Sequence, residues 1–460
     1  MHAMALILAA GQGTRMKSKL IKVLHPILGM PMVMWPIQAA RNAGLQPCLV
    51  VGHQEELVRS ALEGEEILFA RQPVPRGTGD AVLCAFHVLP QEGAVLVCCG
   101  DTPLLRSKTL ALLLQAHEGL LATVLTATIH DPASYGRIIR DSKGMVKEIV
   151  EASEATPEQL AIQEINTGCY VFDIAWLRSV LPKFQPHQPK NEIYLTDALA
   201  YAAKEGRVGA VSLEDFEECQ GVNDRWALSQ AVEILQERII QKHALNGVTF
   251  DAPNSNHIDA DVVIAPEVCI ERGVVLKGHT SIGSDSSVGV SSVIIDSDIG
   301  ENVRILPYCH VEQTVIKDFV QIGPFARLRE GTVLEEECRI GNFVETKKTK
   351  LARGAKANHL SYLGDASVGE GVNIGAGTIT CNYDGFHKHP TVIEKGAFIG
   401  SNTALVAPVR VGENAIVGAG STITKDVLSD SIAISRSVQR NVDGAASRFR
   451  ARVQSTKEKS

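Results

Sequence analysis

Between residues 264 and 423 an aliphatic side chain returns every six positions: Ile264, Ile270, Leu276, Ile282, Val288 and Ile294, then, after a step of five, Ile299, Ile305 and Val311. The series runs on through Ile316, Ile322, Leu328, Leu334 and Ile340, then Leu363, Val368 and Ile374. After an interval spanning CNYDGFHKHP it resumes at Ile393, Ile399, Leu405, Val411, Val417 and Ile423. A period of six fits neither an isolated helix nor a flat strand. Each unit is too short to bury its own aliphatic residue, so the units must stack on one another. Short strands meeting at tight corners, with the aliphatic side chain inward, satisfy that constraint and predict a parallel β-helix. Glycine often follows the aliphatic residue, as in Ile282-Gly283, Ile322-Gly323, Ile340-Gly341, Ile374-Gly375 and Ile399-Gly400. The five-residue steps should shift a corner slightly, and the stretch from Cys381 to about Pro390 should leave the coil as a loop.

Residues 4 to about 225 follow a different pattern. Apolar runs such as ALILAA, PCLVVG and GAVLVCCGD alternate with helical stretches near Pro31 to Ala43, QEELVRSAL and SKTLALLLQAH. Near-continuous apolar strands alternating with helices predict a doubly wound α/β domain with a mostly parallel, covered sheet. In WALSQAVEILQERIIQKHALN, residues 226–246, Ala227, Ala231, Ile234, Leu235 and Ile239 fall at helical spacing. The expected organisation is an α/β domain over 1–225, a linker helix over 226–246 and a β-helix over 247–460 with a basic, frayed tail. A chain of 460 residues has room for two such cores. Its formal net charge of −7, with both signs dispersed, points away from nucleic acid and membrane surfaces and toward small molecules. No apolar run approaches the roughly 20 residues that cross a bilayer. The ten cysteines include no Cys-x-x-Cys and no zinc spacing, which fits reduced thiols in a cytoplasm.

The segment LAAGQGTRM, residues 8–16, narrows the chemistry. The apolar octad before it imitates a signal peptide but has no preceding cation. The Gly-x-Gly is followed by Thr-Arg, so the third glycine of a dinucleotide fingerprint is missing, and no Gly-Lys-Ser/Thr completes a P-loop. What remains is a glycine turn whose amides can approach phosphate oxygens at a helix N-terminus, with Arg15 and Lys22 as neutralising cations. Ligands of open α/β sheets bind beyond the carboxyl ends of strands, which places the Gly11 loop and Asp101 at candidate positions. Taken alone, Asp101 reads more readily as a helix cap or Asx turn than as a site residue.

Leu-x-x-Gly-x-Gly-Thr-Arg-Met directly after a strand resembles the signature of the sugar-nucleotide pyrophosphorylases. Together with the hexad, residues 5 to 436 resemble the bacterial enzymes that couple such a domain to a left-handed β-helix acetyltransferase. The resemblance implies synthesis of UDP-N-acetylglucosamine in two reactions: acetyl transfer from acetyl-CoA to glucosamine 1-phosphate, then Mg²⁺-dependent uridylyl transfer from UTP to N-acetylglucosamine 1-phosphate. The product would feed peptidoglycan and lipopolysaccharide synthesis. By the same resemblance Leu8, Ala9, Ala10, Gly11, Arg15, Lys22, Gln72, Gly77, Thr78, Cys99 and Gly100 would serve the nucleotide. Asp101 and Asn223 would hold Mg²⁺, and Gly136, Glu151 and Asn166 would contact sugar or ribose. Three residues depart from the pattern: Ile21 replaces a usual proline, Asp80 a common histidine and Asn358 a frequent glycine.

Departures from the hexad gather between Arg329 and Tyr383, a stretch rich in His, Tyr, Asn and Lys. Acetylating an amine requires a base near neutrality, and His359 in NHLSYLGD is the candidate; a lone histidine is otherwise more often structural. The resemblance assigns sugar-phosphate binding to Arg329, Lys347, Tyr362 and Asn373. It assigns acetyl-CoA binding to Ala376, Asn382, Tyr383, Ser401, Ala419 and Arg436, and implies a homotrimer with acetyl sites between subunits. Two other readings stand beside it: a pyrophosphorylase for a different sugar nucleotide whose β-helix only regulates, and a trimerising scaffold without catalysis.

Overall fold

The structure, a computed structural model, describes residues 3–188 and 191–457. It divides into two compact units, Met1–Ile240 and Gln241–Ser460.

The first unit is built on a nine-stranded sheet. Its strands are β1 (Ala3–Leu8), β2 (Gln46–Val51), β3 (Leu68–Arg71), β4 (Ala94–Cys99), β5 (Ala122–Thr128), β6 (Arg137–Arg140), β7 (Val146–Val150), β8 (Glu164–Asp173) and β9 (Val208–Leu213). The order is β9-β5-β8-β4-β1-β2-β3, with the β6–β7 hairpin hung on β8. Central β1 is flanked by parallel β2 and β4, which explains its uninterrupted apolar sequence. Leu6 and Ile7 are wholly buried, each burial being worth roughly 1.5–3 kcal/mol. Strand β8 departs from the parallel expectation, running antiparallel to both β4 and β5. From β1 the chain winds outward through β2 and β3, then returns to the other side of β1 as β4. That reversal opens a crevice at the carboxyl ends of β1 and β4, where Leu8 pairs with Cys99 and the Gly100 amide donates to Leu8 O at 2.9 Å.

The glycine loop after β1 does not lead into an α-helix, as the sequence reading had it. It forms a single 3₁₀ turn, Thr14–Met16, and the first α-helix begins only at Met34. The cause is local: Gly13 (φ 62°) and Lys17 (φ 46°) bracket the turn in the left-handed region, so it cannot propagate. Gly13 also lies against the Lys22 side chain, where any Cβ would collide with Lys22 Cβ.

Ile21, which replaces the usual proline, has φ −59° and is buried. This is the angle that a pyrrolidine ring would enforce, so core packing of an aliphatic side chain holds the loop in the shape the ring would give. Ile21→Pro is accordingly expected to fold normally and to change the melting free energy by no more than about 1 kcal/mol in either direction, lost packing offsetting the entropic gain; a calorimetric scan measures it.

In the second unit, three sheets of eleven, ten and nine short parallel strands run the length of the domain. Up to the last pairing of the first sheet, each strand pairs with the third strand onward, so one coil contributes one strand to each sheet. The hexad becomes vertical columns. On the first sheet Ile270 stands beneath Val288, Ile305, Ile322 and Ile340. Glycine often follows the inner residue because the next coil crosses there: after Val288, a Cβ on Gly289 would lie 2.6 Å from Pro307 N. The columns continue where the aliphatic pattern fades, with Ala357 on the first sheet and Thr346 and Thr380 on the second, all buried. The hydroxyls are satisfied inside the coil, Thr346 with Thr332 at 2.9 Å and Thr380 with the Gly364 amide at 2.7 Å. The tail forms a helix, Ala445–Lys457, rather than a frayed end, its alanines and arginines being strong helix formers. All ten cysteines are free thiols.

Candidate active sites

In the first unit the predicted residues fall into three adjoining groups. Leu8, Ala10, Gly11, Gln72, Gly77, Thr78 and Glu151 line one cleft of about 460 Å³. Ala9 and Gly100 sit side by side, a Cβ on Gly100 coming within 3.2 Å of Ala9 Cβ. Gly77 (φ 95°) has no room for a side chain, since a Cβ would meet Ile193 O at 2.5 Å.

The second group surrounds Asp101. The Lys22 ammonium donates to Asp101 Oδ2 and, at 3.3 Å, to Asn223 Oδ1, and Arg15 Nη2 donates to the same Asn223 oxygen at 2.8 Å. Residues from three distant segments therefore converge on one point. Asp101 does not act as a cap: the next helix, Ser107–Ala116, has Arg106 at its N-cap, and the Asp101 carboxylate faces Lys22. Its backbone is fixed by the Val222 amide donating to Asp101 O at 2.8 Å. Beside it the Cys99 thiol is pushed up to about 12, by burial first and by the Asp101 charge second, so it stays protonated and is no nucleophile.

Gly136, Glu151 and Asn166 form the third group. A Cβ on Gly136 would come within 3.5 Å of Glu151 Oε2, and the Asn166 amide donates to Gly136 O at 2.9 Å. The Asn166 side chain is also a turn element, accepting from the Gly168 amide at 3.1 Å and donating to Tyr170 Oη at 2.7 Å. Arg137, unremarked in the sequence reading, is buried and spends its guanidinium on the carbonyls of Ala133, Tyr135 and Leu160, fixing the loop that carries Gly136.

In the β-helix, coil register organises the second set. Two positions beyond the inner residues Ile340, Ala357, Ile374, Ile399 and Val417 stand Asn342, His359, Ala376, Ser401 and Ala419 in one column. Arg436 closes it, its Nη1 donating to Ala419 O at 2.6 Å. On the second sheet Arg329 and Lys347 follow the stacked pair Leu328 and Thr346, and Tyr362 stands above Glu345. Both cations are engaged by carboxylates: Arg329 with Glu345 at 2.9 Å and Lys347 with Glu330 at 2.8 Å. Asn373 lies apart from these three, on the first sheet between Lys356 and Phe398.

The 382–390 segment leaves the coil as a loop. Asn382 is buried and its Nδ2 donates to Asp365, whereas Tyr383 projects and is exposed. Asp384 organises the loop by accepting from the His387 and Phe386 amides and pairing with His389 at 2.7 Å; these hold its carboxyl low, at about 2, so the loop keeps its tether throughout the neutral range.

The sequence reading missed Asn342. His359 Nδ1 donates to Asn342 Oδ1 at 3.1 Å, which leaves Nε2 with its lone pair outward. Counting one coil back from His359 would have found it. Asn358 makes no hydrogen bond to His359 among the described residues. Asn342→Asp is expected to shift the acidic limb of the acetyl-transfer kcat/KM profile to higher pH. A carboxylate stabilises imidazolium, so more alkali is needed to free the base; a pH–rate series with acetyl-CoA reads the shift.

A doubly wound unit with a phosphate-approaching glycine loop, joined to a β-helix carrying an oriented histidine, defines a nucleotidyltransferase coupled to a hexapeptide-type transferase. Profile matching agrees with both halves: the MobA-like NTP transferase domain matches residues 5–166, and the bacterial transferase hexapeptide (six repeats) matches residues 390–425. Curated relatives include "Bifunctional protein GlmU" of Pelobacter propionicus, 48% identical over 96% of this chain and 97% of its own. Those of Heliobacterium modesticaldum (48%, covering 94% and 95%) and Sorangium cellulosum (44%, covering 99% and 98%) match comparably. The chain belongs to the family of bifunctional GlmU proteins, and its second unit is the left-handed β-helix of hexapeptide repeats.

Proposed function

We propose that the chain makes UDP-N-acetylglucosamine in two reactions, one in each unit. The observation that carries this reading is the coexistence of two complete constellations: the Arg15–Lys22–Asp101–Asn223 cluster in the first unit and the Asn342–His359 column in the second. Neither a monofunctional pyrophosphorylase nor a scaffold requires both.

In the β-helix, the amine of glucosamine 1-phosphate attacks the thioester carbonyl of acetyl-CoA. His359 Nε2 takes the amine proton as the C–N bond forms; as the C–S bond breaks the proton passes from His359 to the departing thiolate, and CoA leaves as the thiol. Arg329 and Lys347, with Tyr362 and Asn373, receive the sugar phosphate, which then replaces Glu345 and Glu330 as the anion partner. Ala376, Ser401, Ala419 and Arg436, together with Asn382 and Tyr383 of the loop, line the acetyl-CoA path. The separation of Asn373 from Arg329, Lys347 and Tyr362 within one chain favours a homotrimer in which neighbours complete each site.

In the first unit, a phosphate oxygen of N-acetylglucosamine 1-phosphate attacks the α-phosphorus of UTP, and pyrophosphate departs. The nucleophile is already anionic, so the work is positioning and charge neutralisation by Arg15 and Lys22. Asp101 and Asn223 would hold Mg²⁺, which when bound supplies further neutralisation of phosphate charge. Their oxygens suit it: both are hard ligands and both already face one cation, the Lys22 ammonium. No helix among the described residues is long and apolar enough to cross a membrane, and the substrates place the work in the cytoplasm, supplying cell-envelope synthesis.

A coupled assay tests the whole reading. Glucosamine 1-phosphate, acetyl-CoA, UTP and Mg²⁺ should yield UDP-N-acetylglucosamine, and omission of acetyl-CoA should abolish it; product formation without acetyl-CoA would overturn the two-reaction order.

A further inference from the structure

Asp80 is an unusual residue to bury beside a base-binding cleft, yet it is only 3% exposed, and Gln72 next to it 4%. Gln72 Nε2 donates to Asp80 Oδ2 at 2.8 Å and to Gly77 O at 3.1 Å. Arg76 Nη2 supplies the counter-charge at Asp80 Oδ1, 3.1 Å away. A carbonyl and an ionised carboxylate can only accept, so both hydrogens of the Gln72 amide are committed to them. The orientation of the amide therefore follows from its neighbours' chemistry, and Gln72 Oε1 is turned the other way. That oxygen has no hydrogen-bond partner among the described residues. It is not sealed into the core either, Gln72 being one of the residues that line the cleft.

We propose that Asp80 is a positioning residue that locks Gln72 Oε1 as an acceptor for the imino N–H of a pyrimidine base, so that uracil is selected over cytosine. The inference rests on the uridylyltransferase reading and on the base contact that the resemblance implies for Gln72, and adds to them the part played by Asp80. Uracil offers N3–H to this oxygen, whereas cytosine presents an N3 lone pair, which Oε1 repels. A neutral amide at position 80 could offer its own NH₂ to Gln72 and let the Gln72 amide turn over, presenting a donor that cytosine accepts.

The test compares kcat/KM for UTP and CTP, by pyrophosphate release with N-acetylglucosamine 1-phosphate, in the wild type, Asp80→Asn, Gln72→Ala and the double variant. The UTP-to-CTP ratio should fall at least about tenfold in Asp80→Asn, and Asp80→Asn should move it no further once Gln72 is alanine. A purely structural role would lower both rates and leave the ratio unchanged. An unchanged ratio, or an equal fall in the Gln72→Ala background, overturns the proposal. Calorimetry on the wild type gives a check that needs no variant: N3-methyl-UTP should bind at least about tenfold more weakly than UTP, and equal affinity overturns the proposal. Wild-type protein that releases no pyrophosphate from UTP would instead overturn the uridylyltransferase reading beneath it.

Discussion

His359→Ala is expected to slow acetyl transfer by about 10²–10⁴-fold, the usual contribution of a positioned general base, while uridylyl transfer proceeds at its full rate. The size follows from the chemistry of the amine, which cannot form the amide without losing a proton. His359 holds Nε2 free for that proton because Nδ1 is engaged by Asn342. The ring is exposed and supports no core contact, so its removal should alter stability by less than about 0.5 kcal/mol. Thiol release from acetyl-CoA with glucosamine 1-phosphate measures the first activity, and pyrophosphate release the second. Undiminished thiol release would remove His359 from the mechanism. Equal loss of both activities would report misfolding.

Asp101→Ala should give the mirror image. Asp101 is the carboxylate at the convergence of Lys22, Arg15 and Asn223, and its loss removes the charged member of the pair proposed to hold Mg²⁺. Such an ion commonly supplies several kcal/mol of charge stabilisation, so uridylyl transfer should fall by roughly 10³-fold or more, with acetyl transfer untouched. Asp101→Asn keeps the volume and hydrogen-bonding shape. Its failure to restore pyrophosphate release would show that the charge, rather than packing around Val222, is what matters. Full uridylyl activity in Asp101→Ala would dismiss the metal assignment.

Much of this architecture is legible in the chain because burial leaves a periodic mark. Every six residues an inward aliphatic is needed, and short stacked strands follow from that requirement; their grouping into the three sheets of a left-handed coil is what the resemblance implied. The period weakens at Thr346, Ala357 and Thr380, where threonine and alanine fill core positions that their neighbours can satisfy locally. Strand direction in the first unit is less visible: the 169–172 stretch of β8 is a buried apolar run like those of its neighbours, and such a run reads alike whichever way it goes. The glycine loop misled for a different reason, since Gly13 suits a helix start as well as an isolated turn, and the left-handed Lys17 that decides between them carries no sequence signature. The resemblance located Lys22, Asp101 and His359, but not the residues that aim them. Asn342 reaches His359 from the preceding coil and Arg137 reaches Leu160 across the loop it braces, and such pairings become visible only once the coils and strands are stacked.

The column through His359 also fixes a scale of length. Adjacent coils are separated by one strand spacing, about 4.8 Å, so Ala376, Ser401 and Ala419 mark off equal rungs above the histidine. On the proposed reading, a thioester carrier along them would be gauged by counting coils rather than by the depth of any pocket. Removing one whole coil between Ser401 and Ala419 would preserve every inner column yet bring Arg436 one rung nearer to His359. The β-helix thus works as a measuring rod, with its graduations set by backbone pairing and its readable marks by the residues two places past each inward side chain.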